Sequence, residues 1–281
     1  MRRLAIAFAV LVTGAVLVMP AAAITDGQLD GQGHPYVGLM VAQDASGNPL
    51  WRCSGTLLSS TVYLTAGHCT EAPAAHAEIW FAPGPITTDS NYKSIASGGT
   101  GCANPAVAGY PCHGDVGGET HTHPDFDPNA FFLFDLGVVT LDEPMIKSNY
   151  GALPVLNQLD GLKSKRSTTF TAVGYGLQKA FPDAAAWKDE ASRVRLVAHP
   201  HLIQINTPGS TGDFSLILSA NADTGGTCFG DSGGPNFIGT SNVLAGVTSF
   251  GKNPTCAGQG GVYRVDRADD LEWLATFGVR P

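Results

Sequence analysis

Apolar and polar positions alternate in short blocks along this chain. Val62-Tyr63-Leu64 leads into Thr65-Ala66-Gly67-His68-Cys69, a strand-like segment that delivers a histidine at its end. The run from Phe131 to Leu141 is apolar on both sides of one acid, Asp135. A buried aspartate is costly without a partner, so Asp135 needs a hydrogen-bonding group to face. Near the C-terminus, Leu271, Leu274 and Phe277 recur at helical spacing behind acidic residues, predicting a helix over about 266–277 that packs on what precedes it. Gly98 to Pro128 is rich in Gly and Pro and reads as a solvated loop; Phe181 to Glu190 reads as a surface loop or short helix. No internal repeat is present.

Residues 1–23 read as a secretory signal: Arg2-Arg3, an apolar run through Val18, then Ala21-Ala22-Ala23. Two arginines are also compatible with a twin-arginine leader. No later apolar run reaches the 18 residues a membrane helix needs, so no membrane association is expected after cleavage.

The hexapeptide Gly230-Asp231-Ser232-Gly233-Gly234-Pro235 carries the chemistry. Little bulk surrounds the Ser232 hydroxyl, and exposed N–H groups on such a turn could stabilise charge on a substrate oxygen. A serine is a weak nucleophile alone and needs a histidine base with an orienting carboxylate. His68 and Asp135 are the candidates; Asp125 and Asp127 lie in a Pro-flanked polar stretch and rank behind. Ser232 also satisfies the Gly-x-Ser-x-Gly elbow of α/β-hydrolases, whose order is Ser, acid, His, yet no histidine follows His201. The order here is His, Asp, Ser.

With Thr65 to Cys69, Asp135 to Val138, Gly230 to Pro235, Ser249-Phe250-Gly251 and Gly261-Val262-Tyr263, the chain resembles the chymotrypsin/trypsin family from about Ile24 onward. The resemblance implies an all-β fold: two packed six-stranded antiparallel β-barrels and a C-terminal α-helix. The barrels would span about 24–141 and 168–265, joined by a polar linker at Gly161 to Ser167. It implies His68 as general base, Asp135 as its orienter, Ser232 as nucleophile, and the Gly230 and Ser232 N–H groups as the oxyanion hole. Ser249 would lie beside Asp135, and Ser249 to Gly251 would pair with substrate backbone. Gly226, with Thr227 beside it, would form the base of the specificity pocket, and Gly251 and Gly261 its walls. An open, uncharged pocket suits a large apolar or aromatic side chain; with Asp223 nearby, trypsin-like preference is the alternative. A freed Ile24 ammonium would pair with Asp231, although no Lys or Arg precedes Ile24 and Thr25-Asp26 depart from the usual pattern. Signal cleavage itself would then create the activating terminus. Disulfides Cys53–Cys69 and Cys228–Cys256 follow from the family pattern, with Cys102–Cys112 remaining.

Composition adds bounds. The 281 residues suffice for a sizeable core in one or two domains. Thirty-five glycines with only 14% charged residues favour a turn-rich β protein. Loss of Arg2 and Arg3 takes the net charge from −8 to −10, a poor balance for binding nucleic acid. Six cysteines in an exported chain imply disulfides, for which sequence alone allows 15 pairings. No Asn-x-Ser/Thr acceptor with an allowed middle residue occurs. His113, His121 and His123 lack a recognised zinc spacing, and no acidic pattern points to calcium. The expectation is a secreted, extracellular serine endopeptidase, monomeric, acting on proteins or peptides and requiring no metal or cofactor. A silent relative used as a binding module, or an esterase using the same three residues, are the rival readings.

Overall fold

The computed structural model describes residues 24–89, 92, 113–130, 132–178 and 193–281. The expected signal segment (residues 1–23), the expected Cys102–Cys112 pair and the Phe181 to Glu190 stretch lie outside these residues.

The first element is a two-residue strand, β1 (Gln28–Leu29). Six strands follow: β2 (Val37–Gln43), β3 (Pro49–Leu57), β4 (Val62–Thr65), β5 (His76–Trp80), β6 (Val116–Thr122) and β7 (Gly137–Leu141). They close a barrel in the order β2-β3-β4-β7-β6-β5, every pair antiparallel. Closure leaves no free edge and encloses Val37, Leu57, Leu64, Ile79 and Val138, each fully buried. Burial of each such side chain contributes roughly 1.5–3 kcal/mol.

The second half contains β8 (Phe170–Gly174), β9 (Leu196–Ala198), β10 (Leu202–Ile205), β11 (Ser215–Ala220), β12 (Pro235–Ile238), β13 (Leu244–Gly251) and β14 (Gly258–Arg264). With β1 these make an eight-stranded sheet, β1-β9-β8-β12-β13-β14-β11-β10. It curls until Phe170 N–H meets the Pro200 carbonyl and Leu202 N–H the Thr168 carbonyl, both at 2.8 Å. Closure therefore rests on one short bridge, Thr169 to His201, and the sheet is a partly closed barrel. Helix α2 (Ala268–Ala275), shorter than expected from the apolar spacing, packs Leu274 into the core. Asp269 in its first turn matches the positive end of the helix dipole, while Asp270 is buried and accepts from Tyr263 Oη.

Two local expectations change. The N-terminal segment belongs to the second sheet: Gln28 pairs with Val197 and Thr25 with Gly226. Val116–Thr122, read as loop, is a barrel strand, because its neighbours β5 and β7 supply both ladders that Gly117-Gly118 could not announce by side-chain pattern.

The seam between the halves holds a buried cation. Arg195, fully buried before β9, donates from Nε to Asp30 Oδ2 at 2.8 Å. Its Nη1 donates to the Val37 and Phe81 carbonyls and to Tyr175 Oη, and its Nη2 to the Gly31 carbonyl at 2.6 Å. One guanidinium thus ties barrel, connecting segment and second sheet together. Burial would raise the Asp30 carboxyl, but hydrogen bonding and the charge of His34, with the Arg195 bond, hold it below its ordinary range. Removing one partner of such a pair leaves a buried charge. Arg195→Met is therefore expected to cost about 3–5 kcal/mol in urea unfolding, with partial recovery on adding Asp30→Asn. A loss below about 1 kcal/mol would mean the pair does not hold the seam.

Candidate active site

His68 sits in α1 (Gly67–Thr70), a single helical turn at the end of β4. Three constraints fix that turn. The Cys53–Cys69 disulfide ties it to β3 with Cα atoms 6.2 Å apart. Trp51 Nε1 donates to the Cys69 carbonyl at 2.9 Å, and Glu71 N–H donates to the Gly67 carbonyl.

Asp135 lies just before β7 and is fully buried. Leu136 N–H bonds the Phe134 carbonyl at 2.7 Å, so Asp135 occupies the tip of a three-residue turn. Phe134 has φ +52°, a conformation costing of order 1–3 kcal/mol for a bulky residue. Its ring stacks on His123, with centroids 5.1 Å apart, and His123 also meets Trp273 of α2 edge-on. That packing holds the strained turn in place.

The turn brings the carboxylate to His68. Asp135 Oδ1 accepts from the His68 backbone N–H at 2.9 Å, and both its oxygens lie 3.0 Å from His68 Nδ1. Ser249 Oγ donates to Oδ2 from β13 of the other half. A buried carboxylate with these donors meets the need that the apolar run around it created. With Nδ1–H facing Asp135, the lone pair of Nε2 is directed away from the carboxylate. Burial pushes the His68 pKa down, but the charge and hydrogen bond of Asp135, with the charge of Glu71, raise it above the ordinary imidazole value.

Ser232 lies in the turn between Cys228 and β12. Gly230 there has φ +96°, which excludes other residues without strain. Ser54 of β3 buttresses the turn: its N–H donates to the Ser232 carbonyl at 2.8 Å and its hydroxyl to the Gly230 carbonyl at 2.9 Å. Among the described residues, neither the Gly230 nor the Ser232 N–H meets an acceptor, so both remain available to a ligand oxygen. His68 and Ser232 line one cavity of about 500 Å³ with Leu50, Trp51, Phe229 and Glu71. No hydrogen bond joins the His68 ring to Ser232 Oγ among the described residues.

The neighbouring Asp231 is fully buried and accepts from Gly176 N–H at 2.8 Å and Cys228 N–H at 2.9 Å. Desolvation outweighs those bonds and the charge of Arg193, and pushes its pKa up to about 7. Ile24, also fully buried, clusters with Ala172, Leu196 and Ala198, and has φ +57°. Ala172 and Gly174 are alternate residues of β8, on one face; the first belongs to the Ile24 cluster and the second packs against Asp231.

Of the four residues expected around the specificity pocket, Thr227 and Gly251 line a slot of about 90 Å³ beside Ser232. Gly226 and Gly261 are not among its lining. Gly226 packs against Ala220, and Gly261 lies under the Phe250 ring. The Cys228–Cys256 disulfide braces the slot, with Cα atoms 5.3 Å apart. Asp223 is exposed and lines a separate surface cavity with Arg166, His199 and His201. His113, His121 and His123 face three different partners: Glu78, Thr140 and the Phe134–Trp273 pair. Among the described residues, the metal-type donors that converge are those of Cys53, His68 and Cys69, whose sulfurs are joined in the disulfide. Sequence reasoning missed Ser54, Glu71 and Phe229, and it read Phe250 only as part of a substrate-pairing strand. Ser54, a small polar residue between Cys53 and Gly55, was the one with a local signal.

Comparison with known proteins agrees with this architecture. The family model described as Trypsin matches residues 30–271. Trypsin of Saccharopolyspora erythraea is 26% identical over 237 residues, covering 83% of this chain and 88% of that protein. Serine protease ea of Drosophila melanogaster is 28% identical over 256 residues; the match covers 82% of this chain but 60% of that longer protein. The solved structure of HL collagenase superposes with a TM-score of 0.65 at 20% identity, over 92% of this chain and all (100%) of that one. Human heparin binding protein gives 0.58 at 17% identity, over 90% and 96%, a likeness of fold alone. The match along most of its length places the chain in the trypsin family of serine endopeptidases.

Proposed function

We propose that this chain is a secreted endopeptidase that cleaves peptide bonds through Ser232, His68 and Asp135, with the Gly230 and Ser232 N–H groups as oxyanion hole. The observation that carries the reading is the Asp135 carboxylate on His68 Nδ1 at 3.0 Å, beside Ser232, whose own N–H and that of Gly230 meet no acceptor among the described residues. Held in that tautomer, His68 takes the Ser232 proton through Nε2 as the hydroxyl attacks the carbonyl. Asp135 stabilises the imidazolium, and the two N–H groups receive the oxyanion. His68 then protonates the leaving amine, and water repeats the cycle on the acyl-enzyme. Catalytic hydrogen bonds are often long without substrate, so closure of the Ser232–His68 contact belongs to the bound state.

Among the described residues no charged one lines the slot beside Ser232, which supports an uncharged, apolar side chain before the scissile bond over a basic one. A large or aromatic side chain, as open walls at Gly251 and Gly261 would favour, enters only if the Phe250 ring leaves Gly261. Cleavage after Ala23 frees the Ile24 ammonium to pair with Asp231, and it also removes the strained φ of Ile24. The reading includes export by the N-terminal segment and action as a monomer on protein or peptide substrates.

Three outcomes test it. A fluorophosphonate is expected to label the protein at Ser232, and Ser232→Ala to abolish labelling and lower kcat by a factor on the order of 10⁶. A folded, unlabelled protein would favour the binding-module alternative. The pH–rate profile is the second. His68 must be neutral to accept a proton, so activity falls as pH drops through its raised pKa, above the ordinary imidazole range. Glu71→Gln removes one charge that raises it and is expected to move this acid limb to lower pH; an unmoved limb contradicts the electrostatics.

The third concerns Asp231. In the uncleaved chain its carboxyl, about 7 when folded against 3.8 as an ordinary aspartate, binds more protons in the folded state across that window. Stability is thus full below about pH 4 and falls by about 4 kcal/mol as pH rises through 7. Asp231→Asn is expected to flatten that dependence, and secreted protein sequenced from its N-terminus is expected to begin at Ile24. A start one residue away, or identical pH–stability curves for the two precursors, would sink the ion pair.

A further inference from the structure

Two cavities flank Ser232, and the chemistry assigns each a side of the substrate. His68 must reach the leaving amine, so the leaving group lies on the His68 side of the nucleophile. His68 lines the cavity of about 500 Å³ and does not line the slot of about 90 Å³. The slot, bounded by Thr227, Ser249, Phe250 and Gly251, therefore receives the side chain on the acyl side.

Its size is set by one ring. Phe250 pairs with Gly261 across β13 and β14, after a register shift that follows Thr248. Directly paired residues project to the same face of a sheet. Gly261 has no side chain there, and the Phe250 ring lies over it: a methyl group built on Gly261 would collide with Cδ2, Cε2 and Cζ. The wall that a glycine would leave open is thus covered from the facing strand. At Gly251 a methyl group would meet only the Asn253 carbonyl, at 3.4 Å, so that wall stays open. A cavity that admits benzene measures about 150 Å³. The slot, at about 90 Å³, is well short of that.

We propose that Phe250 is a specificity-determining residue which, lying on Gly261, restricts the acyl-side slot to small uncharged side chains such as Ala, Ser or Val. Removing its ring reopens the slot to the aromatic residues that the glycine walls would otherwise admit. This inference rests on the reading of Ser232 as the nucleophile, and it adds which substrates that site takes and why. The selectivity is steric: among the described residues no lining side chain is charged, so neither a basic nor an acidic residue finds a partner in them.

The test uses the secreted, N-terminally processed protein, its Phe250→Ala variant and Phe250→Leu, which keeps an apolar side chain of lower volume on the strand. Active sites are first counted by fluorophosphonate titration. Failure of all three to titrate overturns the nucleophile assignment, and the specificity proposal with it. On titrated enzyme, kcat/KM is measured on peptides differing only before the scissile bond, with Ala, Val, Leu, Phe, Tyr or Lys there. The wild type is expected to favour Ala and Val over Phe by tenfold or more. Phe250→Ala is expected to raise the Phe-to-Ala ratio at least tenfold, mainly through KM, with Phe250→Leu between. If Phe250→Ala does not titrate, the Leu variant alone decides, through a rise in the same ratio. A wild type that prefers Phe, Tyr, Leu or Lys overturns the proposal. So does a ratio that neither variant moves.

Discussion

The structure depends on a carboxylate placed where no water reaches it. Asp135 is fully buried in an apolar run, and a charge there is tolerable only if donors surround it. Those donors come from both halves: His68 backbone N–H and ring from the barrel, Ser249 hydroxyl from β13 of the second sheet. The bonds that satisfy the acid therefore also register one half against the other. Orientation of the imidazole and docking of the two sheets become one requirement, and neither can drift without leaving the acid unpaired.

The rest of the seam follows the same logic. Ser54 of β3 reaches across to the carbonyls of Gly230 and Ser232, while its hydroxyl accepts from Tyr175 N–H at 3.0 Å. Arg195 gathers carbonyls from Val37 and Phe81 on the barrel side, with Asp30 and Gly31 from the connecting segment. An apolar interface of equal area would tolerate sliding, because dispersion and burial are not directional. Hydrogen bonds of fixed geometry do not. A cleft whose two walls carry complementary pieces of one constellation needs that directional kind of seam.

How much of this was legible in the sequence varies with the distance over which each feature is determined. His68, Asp135 and Ser232 were each marked by their immediate neighbours: a small-residue turn after an apolar run, an acid within one, a serine among glycines. Barrel membership was harder. Val116–Thr122 carries Gly117-Gly118, so its alternation is blank where the pattern should show, and only its pairing to β5 and β7 makes it a strand. The assignment of β1 to the second sheet depends on Val197 and Leu196, far along the chain. Gly261 shows the limit most directly. An absent side chain reads as open space, yet the space is filled by Phe250 from the facing strand, after a register shift that no local pattern announces.

Asp135 and Asp231 show how one residue type supports two different roles. Both are fully buried. Asp135 is met by a histidine ring, a serine hydroxyl and a backbone N–H, partners built into the folded chain. Asp231 has two backbone N–H groups and the charge of Arg193, and burial still pushes it to about 7. Desolvation thus outweighs the donors and the positive charge that the folded chain brings to it. The first acid is completed by folding, whereas on the proposed reading the second would be completed by the ammonium freed at residue 24. Since Gly230, Asp231 and Ser232 share one turn, whatever satisfies Asp231 also fixes the direction of the N–H groups on either side of it. A buried carboxylate with so few donors favours protonation or rearrangement, and on the proposed reading either outcome would disturb the oxyanion donors. On the proposed reading, a link between the oxyanion donors and chain processing would follow from that one buried charge.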